Sequence, residues 1–193
     1  MMYGLIACGG ESSRMGKDKS LLQYHDLPQI THTKDCIDPY CDQVFVSIRE
    51  TQSENHPDLS SYLIDLPEYG HSGPIAALLT AFHYFPNHNF VLIGCDYPLL
   101  DKNDLKDFFK FISKHPAYPI AFYNPEGFYE PLLAYYPASC APILLQNHEA
   151  GMNSLQRFLI TQKAIPFTPK NLKSMLSVDT ALQYDQVITF LSK

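Results

Sequence analysis

Arg14, Lys17 and Lys19 place three cations within six residues, shortly after the glycine pair Gly9-Gly10. Glycine lets backbone N–H groups approach a ligand closely, Arg offers a planar two-pronged donor, and Lys offers a point charge. Together these are the parts of a polyphosphate site. The turn is not a P-loop, since Gly16-Lys17 is followed by Asp18, and it is not a G-x-G-x-x-G dinucleotide fingerprint. The plainer alternative is a polar surface turn with solvated cations. A second turn reads Gly94-Cys95-Asp96-Tyr97-Pro98-Leu99-Leu100. Asp96 ends a run that is otherwise apolar, so its carboxylate falls at a strand's carboxyl edge. Mg²⁺ takes one or two carboxylates together with phosphate oxygens, which Asp96 suits. An Asp that shapes the turn before Pro98 is the competing reading.

Both turns need strands beneath them. Tyr3 to Cys8 is a compact apolar run stopped by Gly9-Gly10, as for a buried strand. Gln43 to Ile48 and Tyr62 to Ile64 read as further strands. Phe90 to Cys95 reads as a central parallel strand covered on both faces. Pro74 opens a helix in which Ile75, Leu78, Leu79 and Phe82 share one stripe. Asp101 and Asp104 suit a helix start ahead of Leu105, Phe108, Phe109 and Ile112. Tyr118 to Tyr123 and Glu130 to Tyr136 look like strands. Residues near Pro142 to Gln146, Ser154 to Ile160 and Thr180 to Phe190 look helical. Strands alternating with helices predict an α/β domain, with a mainly parallel sheet and helices on both faces. Ligands in such sheets bind at the strands' carboxyl ends, where both turns lie.

The chain of 193 residues, 46% hydrophobic and 18% charged, fits one folded domain over 1–193. Its net charge of -6 argues against a nucleic-acid partner. No apolar run is long enough to span a bilayer, and the start lacks a signal peptide's basic region. The five cysteines form no disulfide framework, which points to reduced thiols in a cytoplasmic protein. His32, Cys36 and Cys41 raise a zinc site, but no fourth ligand follows at zinc-like spacing.

The stretch Cys8-Gly9-Gly10-Glu11-Ser12-Ser13-Arg14-Met15-Gly16-Lys17-Asp18-Lys19-Ser20-Leu21-Leu22 resembles the signature of the MobA-like nucleotidyltransferases, roughly L-A-G-G-x-S-x-R-M-G-x-D-K-x-L-L. Further likenesses follow in the family's order. Gly73-Pro74-Ile75-Ala76-Ala77 looks like G-P-L-A-G, and Cys95-Asp96-Tyr97-Pro98-Leu99-Leu100 like C-D-M-P-L-L. Glu130-Pro131-Leu132-Leu133-Ala134 looks like E-P-L-x-A. Gly151-Met152-Asn153-Ser154-Leu155 looks like G-x-R-S-L, and Val178-Asp179-Thr180 like V-N-T.

The resemblance implies a three-layer αβα sandwich of the nucleotide-diphospho-sugar transferase type. It implies transfer of GMP from GTP to molybdopterin bearing its molybdenum, with release of pyrophosphate and Mg²⁺ as cofactor. Nucleotide contacts would fall on Ala7, Cys8, Gly9, Gly10, Ser12 and Lys19, and a base contact on Asp65. Arg14 would meet the β- and γ-phosphates, and Asp96 the Mg²⁺. GTP and molybdopterin would be the substrates, without nucleic acid or membrane. Transient contacts with other cofactor-biosynthesis or acceptor proteins would accompany the role.

Several positions depart from the family pattern. Ala7-Cys8 stands where leucine and alanine are usual, Ser47 where some relatives carry Asn, and Asn153 where Arg is usual. Ser177 and Asp179 replace Asn. Asp179 reads either as a second metal carboxylate or as the N-cap of a helix from Ala181. The signature turn is shared with cytidylyltransferases and with sugar- or alcohol-phosphate nucleotidyltransferases, so it specifies the reaction better than the acceptor. A catalytically silent nucleotide-binding relative would have no reason to keep Arg14, Lys19 and Asp96 together.

Overall fold

The computed structural model describes residues 1–8, 22–55, 61–70 and 72–192. The strands are β1 (Met2–Ala7), β2 (Gln43–Ile48), β3 (Tyr62–Ile64), β4 (Asn89–Gly94), β5 (Ile120–Tyr123), β6 (Tyr129–Tyr136) and β7 (Ile165–Phe167). They form one seven-stranded sheet in the order β3-β2-β1-β4-β6-β5-β7. β1, β2, β3 and β4 pair in parallel, and β5 pairs in parallel with β7. β6 runs against both of its neighbours, β4 and β5. β4 is therefore central, as its apolar run predicts, but its second partner is antiparallel.

The helices are α1 (Gln29–Ile37), α2 (Pro74–Tyr84), α3 (Lys102–Lys114), α4 (Ala141–Glu149), α5 (Leu155–Thr161) and α6 (Ala181–Leu191). Strand alternation divides the core into two layers. Leu5, Phe45, Phe90, Leu92 and Tyr136 meet Leu78, Leu144 and Phe158 from α2, α4 and α5. Ile6, Val46, Val91, Ile93 and Tyr135 meet Ile37, Phe108 and Ile112 from α1 and α3. Each such fully buried side chain contributes roughly 1.5–3 kcal/mol of transfer free energy. The three-layer αβα expectation holds.

The α2 stripe is buried as predicted, and so are Ala76, Ala77, Thr80 and Ala81, with α4 in contact with α2. Its N-cap is Gly73 at φ 72, a left-handed conformation that glycine adopts without strain. Asp101 caps α3 by accepting from the Asn103 and Asp104 N–H groups. At α6 the cap is Thr180 and not Asp179. Thr180 Oγ1 accepts from the Gln183 N–H, and Gln183 Oε1 accepts from the N–H groups of Thr180 and Asp179. This capping box corrects the reading of Asp179 as the cap.

Cys8, Cys36, Cys95 and Cys140 are buried cysteines, and Cys41 is partly buried. His32 Nε2 lies 3.6 Å from Cys36 Sγ, while Cys41 packs beneath Gly4. Among the described residues no three His, Cys, Asp or Glu side chains gather as a metal cluster. No described helix is long and apolar enough to cross a membrane.

Candidate active site

The register of the parallel half aligns four strand ends. Ala7 pairs with Ser47 and with Gly94, and Ser47 pairs with Leu63. Each ladder continues one residue further: Cys8 N donates to Ser47 O at 3.1 Å, Cys95 N to Ala7 O at 3.1 Å, and Asp65 N to Ile48 O at 2.9 Å. Asp65, Ser47, Cys8 and Asp96 thus line one carboxyl edge.

At the β3 end, Ser47 Oγ donates to Asp65 Oδ1 at 2.5 Å. Burial raises the Asp65 carboxyl above its ordinary value, while the Ser47 hydrogen bond and the Arg49 charge pull it back. In the middle, Ala7 is partly buried and the Cys8 side chain points into the layer beneath α1 and α3. The Cys8 carbonyl accepts from Gln52 Nε2 at 3.4 Å, and Gln52 Oε1 accepts from Arg49 N at 3.0 Å. The cysteine for alanine exchange therefore alters core packing and leaves the strand end as backbone. Gln52 has no sequence signal, because the short 3₁₀ helix Glu50–Asn55 that carries it shows no apolar periodicity.

At the β4 end, Asp96 sits directly over Gly94. A Cβ on Gly94 would collide with Asp96 Oδ1 and stand 3.0 Å from the Tyr97 ring. The Asp96 carbonyl accepts from Val178 N at 2.9 Å, which brings Asp179 alongside. Burial raises the Tyr97 hydroxyl far above its usual range, and the charges of Asp96, Glu130 and Asp179 push it the same way. Tyr97 OH donates to Glu130 Oε2 at 3.2 Å, and Asn124 Nδ2 donates to Glu130 Oε1 at 2.9 Å. Because β6 is reversed, its start rather than its end reaches this edge. That places Glu130 beside the Asp96 turn, a role that E-P-L-x-A, read only as a strand, does not reveal.

Gly9, Gly10, Ser12, Arg14 and Lys19 lie outside the described residues. Residues His25 and Gln29 are fastened to the Asp96 turn, and Gln23 to α6. His25 Nε2 contacts Pro98 O at 3.0 Å, Gln29 Nε2 donates to Tyr97 O at 3.4 Å, and Tyr184 OH donates to Gln23 O at 3.0 Å. Tyr24 packs on Tyr184 and on buried Val178 and Val187. Residues 23–29 are thus tied to the Asp96 turn and to α6. Asn153 is spent elsewhere: its Oδ1 lies 2.9 Å from His148 Nδ1, near Ser72 and the start of α2.

The family described as MobA-like NTP transferase domain matches residues 4–165. A molybdenum cofactor biosynthesis bifunctional protein of Synechocystis is 29% identical over 190 residues, covering 96% of this chain and 53% of that protein. This chain therefore spans about half the length of that relative. A molybdenum cofactor guanylyltransferase of Pseudomonas entomophila is 27% identical over 157 residues, 81% of each chain. Among solved structures, molybdopterin-guanine dinucleotide biosynthesis protein A from Archaeoglobus fulgidus aligns at TM-score 0.80 with 22% identity, covering 100% of this chain and 99% of that one. A 4-diphosphocytidyl-2C-methyl-D-erythritol synthase from Anaerococcus prevotii aligns at TM-score 0.71 with 10% identity, covering 100% and 96%. Both share the fold.

Proposed function

This chain belongs to the MobA-like NTP transferase family, and from that premise we propose that it transfers GMP from GTP to molybdopterin bearing its molybdenum, releasing pyrophosphate. The observation that carries the reading is the shared edge of Asp65 and Asp96. Three strand spacings separate β3 from β4, about 14 Å at ~4.8 Å each. That length suits a nucleotide laid along the edge, with its base at Asp65 and its phosphates at Asp96. The Asp65 carboxylate can accept from the guanine N1–H and the exocyclic amine, a paired set that cytosine lacks.

The donor set fits Mg²⁺. Asp96 offers hard carboxylate oxygens over the cradle at Gly94, and Asp179 directly follows Val178, whose N–H is bonded to the Asp96 carbonyl. Mg²⁺ prefers one or two carboxylates completed by phosphate oxygens over a cage made wholly of protein. When bound there, it would set positive charge against the phosphate oxygens.

The nucleophile is an oxygen of the acceptor's terminal phosphate, already anionic, so no general base is required. A bond forms from that oxygen to the α-phosphorus. The bond from the α-phosphorus to the oxygen bridging it to the β-phosphate breaks, and pyrophosphate leaves with the electron pair. Arg14 and Lys19 offset the charge that gathers on the leaving group. The chain's further task is to hold two anions in line. With Asp96, Glu130 and Asp179 around Tyr97 this part of the edge is acidic, and a cation carried in with the triphosphate would offset it alongside Arg14 and Lys19.

The test is pyrophosphate release from each nucleoside triphosphate, with and without molybdenum cofactor. Release with GTP and cofactor together is expected. No release under any pairing would remove the enzyme reading, and CTP used as well as GTP would remove the guanylyl assignment alone.

A further inference from the structure

Asp104 is 1% exposed, and its carboxylate reaches across 66 to 70 residues of chain. Its Oδ1 accepts from Lys170 N at 2.8 Å. Its Oδ2 accepts from Asn171 N at 3.1 Å and from Ser174 Oγ at 2.7 Å. Ser174, itself 0% exposed, also accepts from Asp101 N at 3.1 Å. Burying a carboxylate is unfavourable unless donors surround it, and this one has three. It also lies in the first turn of α3, where the helix dipole favours negative charge.

The segment held in this way leads directly to the proposed metal site. Four residues beyond Ser174, Val178 is 0% exposed and gives its N–H to the Asp96 carbonyl at 2.9 Å. Between them Leu176 N donates to Lys173 O at 3.0 Å, closing the turn. Ser174 and Val178 are therefore both pinned, and Asp179 follows the second pin. We propose that Asp104 is a positioning residue: it clasps the segment 170–174 to α3 and so sets the Asp179 carboxylate beside Asp96, where the two together hold the divalent cation. This rests on the reading of Asp96 as a Mg²⁺ carboxylate. A carboxylate suits the clasp because all of its bonds are accepted ones. Asn in its place would turn an N–H donor toward one of the three donors.

The test uses Mn²⁺ binding to the full chain, followed by electron paramagnetic resonance, with the α,β-methylene analogue of GTP bound. Asp104→Asn is expected to weaken Mn²⁺ binding about tenfold, in line with the loss of a group that orients a ligand. In an Asp179→Asn background the same substitution is expected to change it by less than about twofold, because Asp104 acts through Asp179. Ser174→Ala, which removes one of the three donors, should weaken binding in the same direction and decides the matter if Asp104→Asn does not fold. Unchanged Mn²⁺ affinity, or an equal loss in both backgrounds, would overturn the clasp while leaving Asp96 in place. A wild-type chain that binds no Mn²⁺ would overturn the metal reading and the clasp with it.

Discussion

The side chain of Ser47, near the end of β2, donates to the Asp65 carboxylate, which follows β3, at 2.5 Å. Ser47 is 1% exposed, so this hydrogen bond is made away from water. Burial lifts the Asp65 carboxyl above its ordinary 3.8, and Ser47 and Arg49 oppose the rise. The contribution of Asp65 to stability is therefore full below its ordinary value, where it is protonated, and is lost as the pH climbs through the raised folded value and the buried group ionises. For binding the sign is reversed, since guanine needs the ionised form. KM for GTP should rise on acidification with an inflection above 3.8, and Ser47→Ala should move that inflection upward. Asp65→Ala should narrow the GTP:CTP ratio of kcat/KM. Flat pH profiles for both nucleotides would take Asp65 out of base recognition.

Gly94→Ala should behave as a lesion of Asp96. The added Cβ collides with Asp96 Oδ1 and stands 3.3 Å from Leu132 Cβ. Overpacking of this kind costs about 1–3 kcal/mol. Asp96→Asn should lose nearly all turnover and keep its melting temperature, whereas Gly94→Ala should lose both. Turnover across a Mg²⁺ titration, beside thermal melts, separates the two outcomes.

Arg14→Ala and Lys19→Ala should each weaken use of the triphosphate without lowering Tm. A charge-assisted contact is worth about 1.5–3 kcal/mol, or roughly 10- to 100-fold in kcat/KM. Kinetics within about twofold of wild type for both variants would return the turn to a solvated surface role.

His32 should carry part of the protein's acid sensitivity. Burial, the stacked His25 ring 3.7 Å away and the Lys102 charge lower it from 6.5 to about 4, against a weaker pull from Asp35. The folded ring stays neutral while the unfolded one takes a proton, so stability falls as pH drops from 6.5 toward 4. The ring is only partly buried, which reduces the effect to about 1–2 kcal/mol after allowance for screening. His32→Gln should flatten the fall in Tm over that interval. An equal fall in both proteins would place the sensitivity elsewhere.

Strong periodicity made most of the fold legible. β2 and β3 have the predicted limits, and the α2 and α3 stripes are buried as expected. α1 escapes such reading because its buried face includes the polar residues Gln29 and Thr33. β7 escapes because three residues centred on Pro166 carry no alternation. The direction of β6 is set by its neighbours and leaves no trace in its composition. At the candidate site, Asp96 stood out in the sequence through the apolar run before it, and Asp65 through the family resemblance. Gln52, Tyr97 and Asp104 did not, since their importance comes from contacts with residues distant in sequence.

The buried thiols turn the protein into its own recorder of opening. Burial raises Cys36 and pushes Cys140 up to about 12, and a thiol reacts with alkylating reagents as its thiolate. Modification of the native protein must therefore wait for the chain to part around each sulfur. Cys8, Cys36 and Cys95 lie in the layer under α1 and α3, whereas Cys140 lies in the layer under α2, α4 and α5. The order in which these sulfurs gain mass in a timed labelling experiment would show which side of the sheet is uncovered first.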